Sequence, residues 1–157
     1  MDKILNSEEN EILSDYLKRI ALNYKISINF LELLNLIKAA KALHWNNLNI
    51  GLALGIRTAI TTMYKLQLNR NDKEFKKAEV WGSFCFAQGV EVITGCYHLR
   101  NQLIFHRSIK RNSILKVWGK DKMIKIILKP KEYKNYKDAF NCEDSEIFKS
   151  IEINELS

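Results

Sequence analysis

Residues 28–45, INFLELLNLIKAAKALHW, are apolar on almost every side of a helix and are the basis of the fold predicted here. Only Glu32, Asn35, Lys38 and Lys41 interrupt the apolar residues between Phe30 and Leu43. A helix that is hydrophobic nearly all round is usually buried among other elements, and these charges argue against a membrane span. The stretch therefore predicts the central helix of a bundle.

Two amphipathic segments flank this central helix. Residues 9–25 carry apolar side chains at helical spacing, and Asn6 followed three residues later by Glu9 approximates a capping box. After an asparagine-rich turn that ends at Gly51, residues 52–68 resume helical spacing through Ile56, Ile60 and Met63. The pattern therefore predicts three helices in the first 68 residues.

The second half of the chain predicts further helices and one hairpin. The apolar stretch 80–105 predicts two helices, or one interrupted near Gly89 or Gly95, and residues 114–118 and 123–128 predict two short strands around a turn. The acidic residues 145–156 predict a short helix. The expected fold is mainly α: a single domain of residues 1–157, with a helical bundle at about 7–110, a basic β-hairpin at about 113–129 and an acidic C-terminal segment at 138–157.

Charge is distributed unevenly along the chain, whose net charge is +7. Residues 57–137 hold 18 basic and 6 acidic residues, and residues 138–157 hold 1 and 6. A segment with a charge of +12 favours a polyanionic partner, most simply nucleic acid. The acidic end of the chain is expected to shield that surface or to keep the protein soluble.

The three cysteines, Cys85, Cys96 and Cys142, have irregular spacings that match neither a disulfide framework nor a zinc knuckle. No signal peptide and no membrane span is expected, so the sequence predicts a cytoplasmic protein without a membrane partner. Cys96 and His98 lie in a helical pattern that points them apart, and His44 is interpreted as a packed or capping histidine. We expect no metal and no cofactor.

Residues 99–107, LRNQLIFHR, carry the strongest motif in the sequence. Arg100 is followed by Asn101, and five residues separate Arg100 from His106. This spacing, at the end of an apolar segment and before a basic one, resembles the signature of the HEPN superfamily of ribonucleases. The resemblance implies an all-α bundle and metal-independent RNA cleavage through attack by the ribose 2′-OH.

The same resemblance assigns roles to the residues of the motif. It implies that Arg100 and His106 form the catalytic pair, with Asn101 as a supporting polar group. Histidine titrates near neutrality and suits a general base, whereas arginine offers a fixed positive charge to a phosphorane. A straight helix would place Arg100 and His106 about 120° apart, so the site requires a bent helix or two chains. A homodimer is therefore expected.

The expected RNA contacts extend from the motif into the basic segment. Arg107 lies on the same predicted helix face as Arg100, and the positive residues that follow would bind phosphates: Lys110, Arg111, Lys116, Lys122 and Lys125. The family analogy also suggests a toxin or antiviral defence effector. Its activity could be restrained by an inhibitory protein partner, by the acidic tail or by the monomer–dimer equilibrium.

Two other functions remain open at this point. One is a non-catalytic nucleic-acid-binding protein that uses the hairpin. The other is an inhibitor or antitoxin that uses Trp45, Trp81 or Trp118 at a protein interface. A third interpretation assigns no chemistry to the motif: Arg100, Gln102 and His106 would form the polar side of a surface helix.

Overall fold

A computed structural model describes residues 4–23, 30–68, 77–108 and 112–156. Within these ranges the chain forms a mixed α/β fold with a five-stranded sheet and six α-helices. The prediction of a mainly α HEPN-like bundle with a small hairpin is therefore wrong. The hairpin strands are present, but they form part of the larger sheet.

Three helices come first, in the places that the apolar spacing predicts. They are α1 (Ser7–Asn23), α2 (Phe30–Leu43) and α3 (Ile50–Leu66). The capping box at the start of α1 is confirmed, because Asn6 Oδ1 accepts from Glu9 N at 2.8 Å and Glu9 Oε1 accepts from Asn6 N at 3.0 Å. Glu9 also pairs with buried Lys41 of α2 at 2.7 Å, so this cap joins two helices.

The remaining elements are five strands, three α-helices and a 3₁₀ helix. They are β1 (Lys77–Gly82), α4 (Phe84–Thr94), the one-turn 3₁₀ helix η1 (His98–Arg100), β2 (Leu103–Arg107), β3 (Ile114–Trp118), β4 (Lys122–Leu128), α5 (Tyr136–Asn141), α6 (Asp144–Ile147) and β5 (Phe148–Glu155). The strand order is β2-β1-β3-β4-β5, with β1 and β2 parallel and the other pairs antiparallel.

The prediction of helices across residues 80–105 is confirmed only for α4, which ends at Gly95, one of the two expected breaks, whereas the ends of this segment belong to β1 and β2. Ser83 Oγ accepts from Phe86 N at 3.1 Å and starts α4, and Gly95 ends the helix in the left-handed region at φ 74°. Asn101, at φ 58°, then ends η1. A helix cannot continue through these two residues, and the chain returns as β2 parallel to β1.

The acidic C-terminal helix predicted at 145–156 is also wrong. The helix α6 ends at Ile147, and residues 148–155 form β5 at the edge of the sheet. Lys125 lies opposite Glu152 and Lys122 opposite Glu155 in the pairing of β4 with β5. The acidic end of the chain therefore lies beside part of the basic segment.

One face of the sheet is the wall of the core. Alternate residues of β1, β3 and β4 are fully buried: Ala78, Val80, Leu115, Val117, Ile124 and Ile126. Residues in between, such as Trp81, Lys116 and Lys125, are half-buried on the outer face. No helix in the described part of the chain has the length and hydropathy to span a membrane.

Candidate functional site

The first turns of α3 and α4 lie side by side. Asn49 caps α3, because its Oδ1 accepts from Leu52 N at 2.8 Å, and Ser83 caps α4. A Cβ atom on Gly51 would lie 2.9 Å from Cys85 Cβ and 3.2 Å from Ser83 Oγ. Only glycine at position 51 allows the two helix ends to approach this closely.

His44 lies beneath these helix ends and is only 2% exposed. Its Nδ1 is hydrogen-bonded to Gln88 Oε1, and its Nε2 lies 3.1 Å from Asn49 Nδ2. Since Asn49 Oδ1 is committed to Leu52 N, the amide nitrogen must face the ring and donate to Nε2. Nδ1 therefore carries the proton and donates to Gln88, which confirms that His44 is a packed histidine.

The same hydrogen bonds fix Gln88 and Cys85. Gln88 Nε2 donates to Leu43 O at 3.2 Å, and Asn49 Nδ2 lies 3.4 Å from Cys85 Sγ. Every polar group of Gln88 is thus bound within the protein. The cluster of His44, Asn49, Cys85 and Gln88 positions the start of α4 and leaves the outward face of that helix for contacts.

That outward face forms one wall of a cleft of about 330 Å³, which we call the α4 cleft. The helix contributes Phe84, Ala87, Gln88 and Glu91, whose spacing of three and four residues places them on one side. The opposite wall comes from η1 and the edge strand β2 and consists of His98, Leu99, Leu103 and Phe105. The cleft is therefore mainly apolar, with polar groups gathered toward Glu91.

The polar end of the α4 cleft is held by two backbone contacts. His98 N donates to Glu91 Oε2 at 2.9 Å, and His98 Nδ1 lies 3.3 Å from Leu103 O. The apolar walls are open to solvent, since Leu99 is 94% and Phe84 53% exposed. Exposed aromatic and aliphatic side chains around a few fixed polar groups are typical of a small-molecule site.

A second, larger cleft of about 420 Å³ lies beside α1 and α3, but its arginines are committed to the fold. Arg57 Nη1 donates to Ala139 O at 2.7 Å and its Nη2 to Asp144 Oδ1 at 2.9 Å. Arg19 donates to Phe140 O and Asn141 O. Both guanidinium groups thus bind carbonyls at the end of α5, where the helix dipole is negative.

The structure does not bring the predicted catalytic residues together. Arg100 is exposed in η1 with its guanidinium 5.5 Å from the ring centre of Tyr97, and Asn101 ends that turn. His106 lies near the far end of β2, where its Nε2 is 3.0 Å from Glu79 Oε2 and its ring stacks on Trp81 at 4.8 Å. The strand from residue 102 to 106 spans about 13 Å, so Arg100 and His106 lie at opposite ends of it.

The residues predicted to bind RNA are dispersed over the sheet. Arg107 ends β2, Lys122 begins β4, and Lys116 and Lys125 lie opposite each other on β3 and β4. Lys116 Nζ is 5.1 Å from the ring centre of Trp81. Lys110 and Arg111 lie outside the described residues.

The α4 cleft residues were missed at the sequence level, although one signal was present. Residues 84–94 are mostly apolar, but Gln88 and Glu91 interrupt them three residues apart on the side of Phe84. The interpretation of residues 96–105 as helical hid η1 and the strand β2, which follow the break at Gly95. That break turns η1 and β2 back toward this side of α4.

A family model with the description "FmdE, Molybdenum formylmethanofuran dehydrogenase operon" matches residues 48–152. The chain belongs to the FmdE family. The match runs from the cap of α3 into β5 and includes the whole α4 cleft. No curated protein matches the chain.

FmdE membership corrects the functional hypotheses drawn from the motif. The HEPN resemblance is wrong, and so are the ribonuclease, toxin and antiviral functions that it implied. The nucleic-acid-binding and antitoxin alternatives find no support either. The α4 cleft is the feature of the structure that suggests a function instead.

The family description names molybdenum, which would need several metal-binding side chains close together. Among the described residues, no group of three or more His, Cys, Asp or Glu side chains is placed to hold a metal ion. Cys96 is buried, and burial raises the pKa of its thiol. The side chains present in this part of the chain therefore do not fit a molybdenum site.

Proposed function

We propose that this FmdE protein is a small-molecule-binding accessory protein that acts beside a formylmethanofuran dehydrogenase. The association with that enzyme comes from the family description. The binding role comes from the α4 cleft, whose volume of about 330 Å³ lies at the lower end of the range for small-molecule sites. This cleft is the observation that carries the proposal.

The side chains of the α4 cleft suit a ligand with a flat ring. Phe84 on α4 and Phe105 on β2 line opposite walls, with Leu99 and Leu103 beside them. An aromatic ring placed against a Phe ring gains about 0.5–1.5 kcal/mol beyond the burial of its area. The cluster around His44 holds α4 in place, so this wall is formed before a ligand arrives.

We place this function in the cytoplasm. All three cysteines, at 85, 96 and 142, are free thiols in the structure. Unpaired cysteines are typical of reducing compartments.

A titration with 2-phenylethanol tests the proposal with a ring-containing molecule that bears no charge. In ¹H–¹⁵N correlation spectra, saturable shifts are expected at the amides of the α4 cleft. Phe84→Ala should weaken binding about three- to tenfold, because it removes one aromatic wall. Trp118→Ala, a half-buried aromatic on the outer face of the sheet, is the matched control and should bind as the parent does.

Two outcomes would contradict the proposal. If 2-phenylethanol gives no saturable shifts at the cleft, or if Phe84→Ala and Trp118→Ala affect binding equally, the cleft is not a ligand site.

A further inference from the structure

Glu91 is the acidic residue of the α4 cleft, and neither Lys nor Arg lines that cleft. Its Oε2 accepts from His98 N at 2.9 Å, which holds the carboxylate against η1. Its Oε1 has no hydrogen-bond partner among the residues that the structure describes. A fixed carboxylate with one oxygen available is suited to bind a donor that carries a positive charge.

The other polar groups of the α4 cleft, apart from His98 Nε2, are engaged in contacts within the protein. Gln88 bonds through its oxygen to His44 and through its nitrogen to Leu43 O. His98 Nδ1 lies against Leu103 O. The carboxylate of Glu91 is therefore the strongest free contact that the cleft offers, and it repels an anionic ligand.

The spacing along α4 sets the shape of the ligand. Glu91 follows Phe84 by seven residues, which is about 10 Å along the helix axis. A ring stacked or tilted on Phe84 has its centre about 5 Å from that side chain. The centre of the ligand ring then lies about 5–10 Å from the carboxylate, a range that includes the length of a two-carbon link to an amine together with its hydrogen bond to Glu91.

We infer that the α4 cleft binds an arylalkylamine-type ligand, with its flat ring at Phe84 and Phe105 and its protonated amine at Glu91. This inference rests on the proposed function, because it names the class of molecule that the same site takes. The inference adds that the ligand carries a positive charge and that Glu91 is the residue that binds this charge.

The test compares 2-phenylethylamine with 2-phenylethanol, which have the same ring and link but differ in charge. At pH 7 and low salt, the amine should bind about fivefold more tightly than the alcohol, the size expected for a half-exposed ion pair. The ratio of the two dissociation constants should decrease as salt is added. In Glu91→Gln, which keeps an acceptor for His98 N, the ratio should fall to about one.

Glu152→Gln is the matched control, because it removes a carboxylate from β5, which lies at the opposite edge of the sheet from β2. It should keep the preference for the amine. The inference is overturned if the amine binds to the parent protein no more tightly than the alcohol does, or if Glu91→Gln keeps the fivefold ratio. In either case the α4 cleft is still a ligand site. If 2-phenylethanol gives no saturable shifts in the parent, the proposed function itself fails and the inference fails with it.

Discussion

A Cβ atom built on Gly89 of α4 would lie 3.0 Å from the carbonyl carbon of Gly55 of α3. The same atom would lie 2.8 Å from Leu52 O and from Ile56 N. The two helices therefore touch through their backbones where they cross. This close crossing fixes the height of α4 over the core, and with it the wall of the α4 cleft.

Replacement of Gly89 by alanine should destabilise the protein by about 1–3 kcal/mol, because the added methyl group meets backbone that cannot move independently. The higher helix propensity of alanine offsets less than 1 kcal/mol of this loss. Urea unfolding measures the difference. Gly119→Ala is the control, since its methyl group would meet the end of the Leu68 side chain at 3.1 Å, which can shift. Equal stability of Gly89→Ala and the parent would contradict the close crossing.

Asn49 has two roles that different substitutions separate. Asn49→Ala removes both the cap of α3 and the donor to His44 Nε2, and a loss of about 1–3 kcal/mol is expected. Asn49→Ser keeps a capping oxygen but is too short to reach His44, so it should cost about half as much. Chemical denaturation of the three proteins gives the comparison. The assignment of a capping role fails if serine is as costly as alanine.

The first half of the fold follows well from the sequence, because its helices have strong apolar spacing and clear caps. The Asn6 and Glu9 capping box is one example. The hairpin of β3 and β4 was also visible, since residues 114–118 and 123–128 are two short, mostly apolar runs on either side of a Gly-Lys-Asp turn. Local signals of this kind arise from neighbouring residues and need no tertiary information.

The parts that the sequence did not reveal depend on contacts between distant segments. β1 is only six residues long and pairs with β2 and β3, which lie more than 20 residues away. The left-handed residues Gly95 and Asn101 end α4 and η1, but Asn101 was assigned to a motif instead. The α4 cleft needs α4, η1 and β2 together. Its residues could not be grouped while residues 80–105 were taken as helical.

Arg57 should prove important for stability, because its buried guanidinium binds the end of α5. Arg57→Met keeps much of the side-chain volume but leaves Ala139 O without its bond at 2.7 Å. A loss of about 2–4 kcal/mol is expected. Asp144→Asn tests the exposed side of the ion pair, where the side chain is 43% exposed, and should cost less than about 1 kcal/mol. Thermal or urea unfolding measures both losses of stability. A larger loss for Asp144→Asn than for Arg57→Met would show that the bonds from Arg57 to α5 are not the main contribution.

Burial raises the pKa of Tyr64 to about 12, whereas an unfolded tyrosine titrates near 10. Between these values the folded protein holds more protons than the unfolded chain, so stability should fall as the pH rises through this range. Below pH 10 the contribution is fully present. Tyr64→Phe should make the decline less steep. The absorbance at 295 nm, recorded as a difference between the parent and Tyr64→Phe, follows the ionisation directly. If the difference in absorbance instead changes near pH 10, burial does not raise the pKa of Tyr64.

Intermolecular nuclear Overhauser effects show directly whether the α4 cleft binds a ring-containing molecule. The measurement uses methyl-labelled protein with 2-phenylethanol and records which methyl groups lie close to the ring protons. Contacts are expected to the methyl groups of Leu99 and Leu103, on the wall opposite α4. Contacts to Leu22 in the second cleft instead, or no contacts at a saturating concentration, would contradict this expectation.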